Sequence, residues 1–163
     1  MSLNRLFLTL GGAGKLPAPL GLLLTALPLG IFLLLALGAE SLFTLAFALF
    51  IVGVFEVNRY EQSTGNHDAP EILLDDAVGL WIALLIGAHA PSLTPNFPYA
   101  LPAAFLLSLA AFVLFERWRP STIGWIGRNL KGGLGVMLDD LPAGFAAGAL
   151  TLLIFKGIAI FWK

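Results

Sequence analysis

The 163-residue chain is 58% hydrophobic and 12% charged, roughly half the charged fraction of an average soluble domain, which excludes an ordinary soluble protein and indicates a membrane protein. A formal net charge of −1 excludes a nucleic-acid partner, which would need a basic face to displace counterions from phosphates. Because cysteine is absent, disulfides, thiolate nucleophiles and thiolate metal sites are excluded together, and any metal must be held by oxygen or histidine.

The opening stretch "MSLNRLFLTLGGAGKLPAP" has no small-residue cleavage site behind its short apolar run and reads as mature sequence. Within it, "NRLFLTL" is expected to lie as an interfacial helix on the bilayer surface. Five stretches approach the roughly 20 apolar residues a helix needs to cross a bilayer: Pro17 to Ala39, Ser41 to Val57, Ile72 to Ala90, Tyr99 to Trp118 and Leu141 to Trp162. Runs such as "LLLTALPLGIFLLLALGA" are apolar on every side, unlike the alternating strands of a membrane barrel. The fold class is therefore all-α, a polytopic helix bundle forming one domain over residues 1–163. Pro28 is expected to kink the first span.

Basic residues in short loops set orientation. Arg5 and Lys15 precede the first span, Arg59 follows the second, and Arg117, Arg119, Arg128 and Lys131 follow the fourth. The N-terminus and the two polar loops are thus predicted to face the cytoplasm. Lys156 and Lys163 fit less well, and Lys156 would snorkel or face the protein interior.

Under this topology Glu56, Glu61, Asp68, Glu71, Asp75, Asp76, Glu116, Asp139 and Asp140 gather at the cytoplasmic boundary, leaving Glu40 on the other face. A helix starting at Ala69 would align Asp68, Glu71 and Asp75 on one face. Helix capping competes with a chemical role: "DAPE" is a capping box, and in "DDLPAG" Asp140 can cap the fifth span. Asp75 and Asp76 resist that explanation, since a charge deep in the bilayer costs roughly 2.5 to 3.5 kcal/mol on insertion scales. Adjacent carboxylates from two helix ends make an oxygen-rich pocket suited to a hard cation such as Mg²⁺. Arg119, Arg128 and Lys131 can hold a phosphate beside it, with the "KGGLG" amides approaching closely, although topology alone also demands positive charge here. His67 reads as a solvated loop residue and His89 lies on the opposite side. Trp118, Trp125 and Trp162 read as interface anchors, and "AGFAAGALT" as a helix-packing face.

Two blocks, "HDAPEILLDDAVGLW" and "FVLFERWRPSTIGWIGRNLKGGLGVMLDDLPAG", resemble the phosphatidylglycerophosphatase A family, with "GGLGVMLDD" nearly intact. "GAGKLPAP" is similar to that family's glycine-rich entry but lacks its closing Gly-Thr. The resemblance implies a small bacterial inner-membrane enzyme that uses Mg²⁺ to hydrolyse the terminal phosphomonoester of phosphatidylglycerophosphate at the cytoplasmic face. Its substrate would be an anionic phospholipid whose acyl chains stay in the bilayer.

Carried over by position, the family's D-E pair falls on Asp75 and Asp76, its F-x-x-F-D aspartate on Glu116, its K-P lysine on Arg119 and its D-D pair on Asp139 and Asp140. Asp75, Asp76, Asp139 and Asp140 are the expected metal ligands. Asp68, Glu71 or Glu116 would be an outer ligand or the base that orients water, and Arg119, Arg128 and Lys131 would bind the substrate phosphate. The chain departs from the family at Asp76 for Glu, Glu116 for Asp, Val113 for Arg and Gly127 for Asp. Two other classes are weighed. A CDP-alcohol transferase would need a D-G-x-x-A-R series that this chain lacks, and a cation carrier or non-enzymatic subunit would spread carboxylates along a path through the spans.

Overall fold

The computed structural model describes residues 2–17, 19–66, 69–119, 125 and 129–161, the last by its backbone alone. Expectations for His67, Asp68, Gly127, Arg128, Trp162 and Lys163 fall outside these residues. Every regular element among the described residues is helical: α1 (Leu3–Leu8), α2 (Leu20–Leu24), α3 (Ala26–Leu37), α4 (Ala39–Thr64), α5 (Leu74–Gly87), α6 (Ala100–Trp118), α7 (Gly132–Asp139) and α8 (Leu141–Phe161). Five segments are long and apolar enough to cross a membrane: Leu20–Leu37, Ala39–Thr64, Leu74–Leu93, Ala100–Trp118 and Gly132–Ile160.

The first span breaks at Thr25, between α2 and α3, three residues before the proline expected to bend it. Pro28 has no N–H for the Leu24 carbonyl and its ring crowds that oxygen, so the disturbance falls one turn upstream. Thr25 bridges the break by donating its hydroxyl to the Gly21 carbonyl at 2.6 Å. The second span runs past the expected Val57 to Thr64 and stops where Gly65 turns left-handed, its N–H bonding the Glu61 carbonyl at 2.8 Å. That extension lifts Asn58 and Tyr60 into the region where the other helix ends meet.

The helix expected at the bilayer surface is α1, and it is also docked on the protein. Leu8 is fully buried, and the Asn4 amide donates to the Glu56 carbonyl at 2.9 Å and to its carboxylate at 2.5 Å on α4. Burial of one leucine and two bonds from one amide hold the short helix in place better than its own six residues could.

α5 is the central post, packed by α3, α4, α6 and α8, and its Leu74, Ala77, Val78, Leu80, Trp81, Ala83 and Leu84 are all buried. Trp81 donates its indole N–H to the Ala26 carbonyl at 2.8 Å, so this large side chain is buried without an unsatisfied donor. The outer faces are apolar instead, with Phe32, Phe43, Phe47, Phe55, Leu106 and Leu153 exposed. Such a surface is stable only in a solvent of hydrocarbon.

The α5–α8 crossing at the bundle's polar end is a close one. A Cβ on Gly144 would run into the Gly79 carbonyl, and one on Gly79 would come within 2.8 Å of the Asp140 carbonyl. Glycine at both positions lets the backbones touch.

Candidate active site

That crossing decides what the neighbouring residues can do. Asp75 and Asp76 occupy the first turn of α5, one turn from Gly79, and Asp140 links α7 to α8 one turn before Gly144. Ligand oxygens of Asp75, Asp76 and Asp140 accordingly lie within 4.8 Å of one another. Asp75 is 8% and Asp140 4% exposed, with Asp76 half-buried.

Asp140 does take the position of a helix N-cap, its carbonyl accepting from the Gly144 N–H at 2.9 Å. Its carboxyl group, however, hydrogen-bonds Asp76, so position and chemistry are separate in this residue. Two carboxyl groups bond only through a shared proton, and a bound cation would offset the same repulsion. The donor set is oxygen alone, which suits Mg²⁺ or Ca²⁺ and not softer metals.

Two further groups from α6 border the cluster. Glu116, one turn short of the helix end, lies near enough for its charge to act on both Asp76 and Asp140. Arg119 closes α6 in a left-handed conformation at φ 39°, donating Nε–H to the Glu116 carbonyl at 3.2 Å. Its Nη1 pairs with Asp139 Oδ2 at 2.8 Å, with Asp139 only 7% exposed and Arg119 42% exposed. The guanidinium is thereby tethered beside the three carboxylates while still reaching solvent. Asp139, expected among the metal ligands, faces this arginine and is not part of the three-carboxylate group.

Glu71 departs from its expected place. The helix begins at Leu74, so Glu71 lies in the preceding turn and shares no helix face with Asp75. Its carboxylate accepts from Arg5 Nη2 and from the Tyr60 hydroxyl, each at 2.7 Å. The Arg5 bond first, then the Tyr60 bond, hold its carboxyl below the usual carboxylate range. Asp68 and Arg128 lie outside the described residues.

The "KGGLG" stretch forms a helix start, not an open loop. Gly132 turns left-handed at φ 74°, the Gly133 N–H donates to the Asn58 side chain at 2.7 Å, and a Cβ on Gly133 would collide with the Val54 carbonyl. Asn58 therefore caps α7 from another helix, and the glycines allow α4 to approach. Lys131 is exposed at the start of α7, eight residues from Asp139 along the chain, or about 12 Å of helix. His89 and Lys156 are exposed at the opposite end of the bundle, bordering one groove.

Asn58 and Tyr60 escaped the sequence reading, which took Arg5 only as a topology-setting charge. Their signal was weak, because single polar residues near a span end are also what membrane topology requires.

The chain matches the Phosphatidylglycerophosphatase A family over residues 6–155. It is 30% identical over 103 residues, 63% of its length, to the Escherichia coli protein of that name, and the match spans 54% of that relative. The Haemophilus influenzae protein of the same name is 29% identical over 126 residues, 77% of this chain and 71% of the relative. A Bacteroides thetaiotaomicron protein whose name suggests a phosphatidylinositol-3-phosphatase is 35% identical over 92 residues, 56% of this chain and 52% of that relative. No solved structure matches. With a match running from the first helix nearly to the end of the last, and with the acidic crossing at its centre, this chain belongs to the phosphatidylglycerophosphatase A family.

Proposed function

We propose that this protein hydrolyses the terminal phosphomonoester of phosphatidylglycerophosphate, releasing phosphatidylglycerol and phosphate, with Mg²⁺ as cofactor. The observation that carries this reading is the meeting of Asp75, Asp76 and Asp140 within 4.8 Å beside an arginine tethered at 2.8 Å to Asp139. Family membership supports the reaction class, and the names of the Escherichia coli and Haemophilus influenzae relatives support the substrate.

The oxygen-only, mutually repelling donor set fits Mg²⁺, which Asp75, Asp76 and Asp140 would hold. When bound, that ion supplies charge stabilisation for the transferring phosphoryl group and lowers the pKa of a water. Arg119 takes up the anionic phosphoryl oxygens, its geometry fixed by Asp139 and by the Glu116 carbonyl. Glu116 would orient the attacking water and accept its proton, a role supported by its charge acting on both Asp76 and Asp140. The water oxygen bonds to phosphorus as the ester P–O bond breaks, and the glycerol oxygen leaves with that electron pair and takes up the proton accepted by Glu116, giving phosphatidylglycerol and phosphate. The same end of the bundle would face the cytoplasm of a bacterial inner membrane, a reading that the basic loop residues support, so that the head group enters the site while the acyl chains remain in lipid.

The test is phosphate release from phosphatidylglycerophosphate in mixed micelles, with Mg²⁺ or with EDTA, using phosphatidylinositol 3-phosphate as the competing substrate. Mg²⁺-dependent release from phosphatidylglycerophosphate is expected, abolished in Asp75→Asn and Asp140→Asn while both variants stay folded. Activity that persists in EDTA or in either variant would refute the metal assignment. Preference for the inositol lipid would refute the substrate.

A further inference from the structure

Helix α5 carries two carboxylates in its first turn, yet its N-cap residue is Leu73, whose side chain cannot cap it. Those two carboxylates must meet Asp140 from a separate helix within 4.8 Å, so a loosely held start would misplace them. The restraint comes from the N-terminal segment. The Leu73 N–H, at the N-cap position, donates to the Leu8 carbonyl at 2.9 Å. Glu71, two residues earlier, has one carboxylate oxygen on Arg5 of α1 and the other on Tyr60 of α4. The 3-10 turn Ala13–Lys15 lies against the same connection, where a Cβ on Gly14 would run into the Glu71 carbonyl. Ile72 and Leu73 are buried, so the connection is held by its side chains, its backbone and its packing together.

We propose that Arg5 and Tyr60 are positioning residues for the acidic site: by holding both oxygens of Glu71 they lock the 69–73 connection and set Asp75 and Asp76 against Asp140. Glu71 is the element through which they act, and not itself a metal ligand. The physical requirement is geometric. Mg²⁺ demands near-ideal oxygen placement, and a ligand set drawn from two helices is only as well placed as the start of each helix. α7 and α8 are fixed by Asn58 and by the glycine crossing, and the Arg5–Glu71–Tyr60 group does the corresponding job for α5.

This inference rests on the metal site of the proposed function, and its experiment separates the two. Mn²⁺ binding to the detergent-purified full chain is followed by electron paramagnetic resonance of the free ion, and Mg²⁺ dependence of phosphate release is measured alongside. Glu71→Gln and Arg5→Ala are expected to raise half-saturating Mn²⁺ and Mg²⁺ by about tenfold, the scale typical of groups that orient ligands. Saturating Mg²⁺ should restore most of the turnover. The Arg5→Ala/Glu71→Gln double variant should be no worse than either single one, as expected for partners in one network. Arg5→Lys, which keeps a charged donor, should stay close to wild type.

Tyr60→Phe and Glu71→Gln change almost no volume, so they decide the matter if Arg5→Ala does not fold. Unchanged half-saturation in both of these, or strictly additive losses in the double variant, would overturn the proposal. A wild-type chain that binds Mn²⁺ but releases no phosphate sinks the phosphatase reading alone, and the Mn²⁺ shifts then still judge the clamp. A wild-type chain that binds no Mn²⁺ overturns both.

Discussion

Arg119 and Asp139 form an ion pair at the acidic site, 2.8 Å long, and it joins a half-exposed cation to a buried anion. Removing either partner leaves the other misplaced, so the two should act as a unit. Asp139→Asn and Arg119→Ala are each expected to lower kcat/KM for the lipid by one to two orders of magnitude, on the order of what a misplacement near 1 Å costs, and the double variant should match the worse single one. Additive losses would instead make Asp139 an independent ligand, as the family pattern implies. Glu71 gives a second, pH-based outcome at this scale. Bonds from Arg5 and then Tyr60, with Lys15 nearby, hold its carboxyl below its ordinary value of 4.5. Its contribution to folding is therefore complete at neutral pH, fades as the pH drops past 4.5, and is gone below the depressed value. Glu71→Gln should lower the melting temperature in detergent at pH 7 and make less difference as the pH falls below 4. An equal difference at both pH values would show that this ion pair does not stabilise the fold.

Helix contacts set the site at the next scale, and glycine is the means. Gly79 and Gly144 bring the α5 and α8 backbones together, and Gly133 does so for α7 and α4. Gly144→Ala would place a methyl group against the Gly79 carbonyl, and neither backbone can move without shifting Asp76 or Asp140. A loss of about 1 to 3 kcal/mol in stability is expected from overpacking, with a larger proportional loss in activity. Gly157→Ala on the same helix is the control, because nothing lies within 4 Å of its added carbon, and replacing a helical glycine there should be neutral or stabilising. If Gly144→Ala melted and turned over like Gly157→Ala, the close crossing would be irrelevant to the site. The first span carries the same lesson differently: Pro28 lies in α3, but its effect appears at Thr25, as the missing N–H requires.

For the whole molecule the decisive question is which side of the membrane the acidic end faces. The chain contains no cysteine, so single introduced thiols report without background. Asn66→Cys, exposed beyond α4, should resist a membrane-impermeant reagent in intact cells, whereas Ser92→Cys, exposed in the 3-10 turn Ala90–Leu93 at the other end, should react. The reverse pattern would put the site on the external face and remove the topological support for the proposed substrate.

Hydropathy alone determined that the chain is a helical membrane protein, because a bilayer leaves no other way to satisfy the backbone of long apolar runs. The positions of the five spans were legible for the same reason, and so was the gathering of carboxylates at one end. Glu71 was not legible: a helix period extrapolated back to Ala69 put it on a face with Asp75, whereas the chain enters α5 through a turn held by Leu8, Arg5 and Tyr60. The division of labour between Asp139 and Asp140 was equally hidden, since adjacent residues at a helix junction point about 100° apart and only the packed neighbours decide what each meets. Composition and periodicity fix what a segment is and how deep it lies. Which side chains converge depends on where helix backbones touch, and here that was decided by glycines facing each other across residues 79 and 144, a pairing that exists only once the chain is folded.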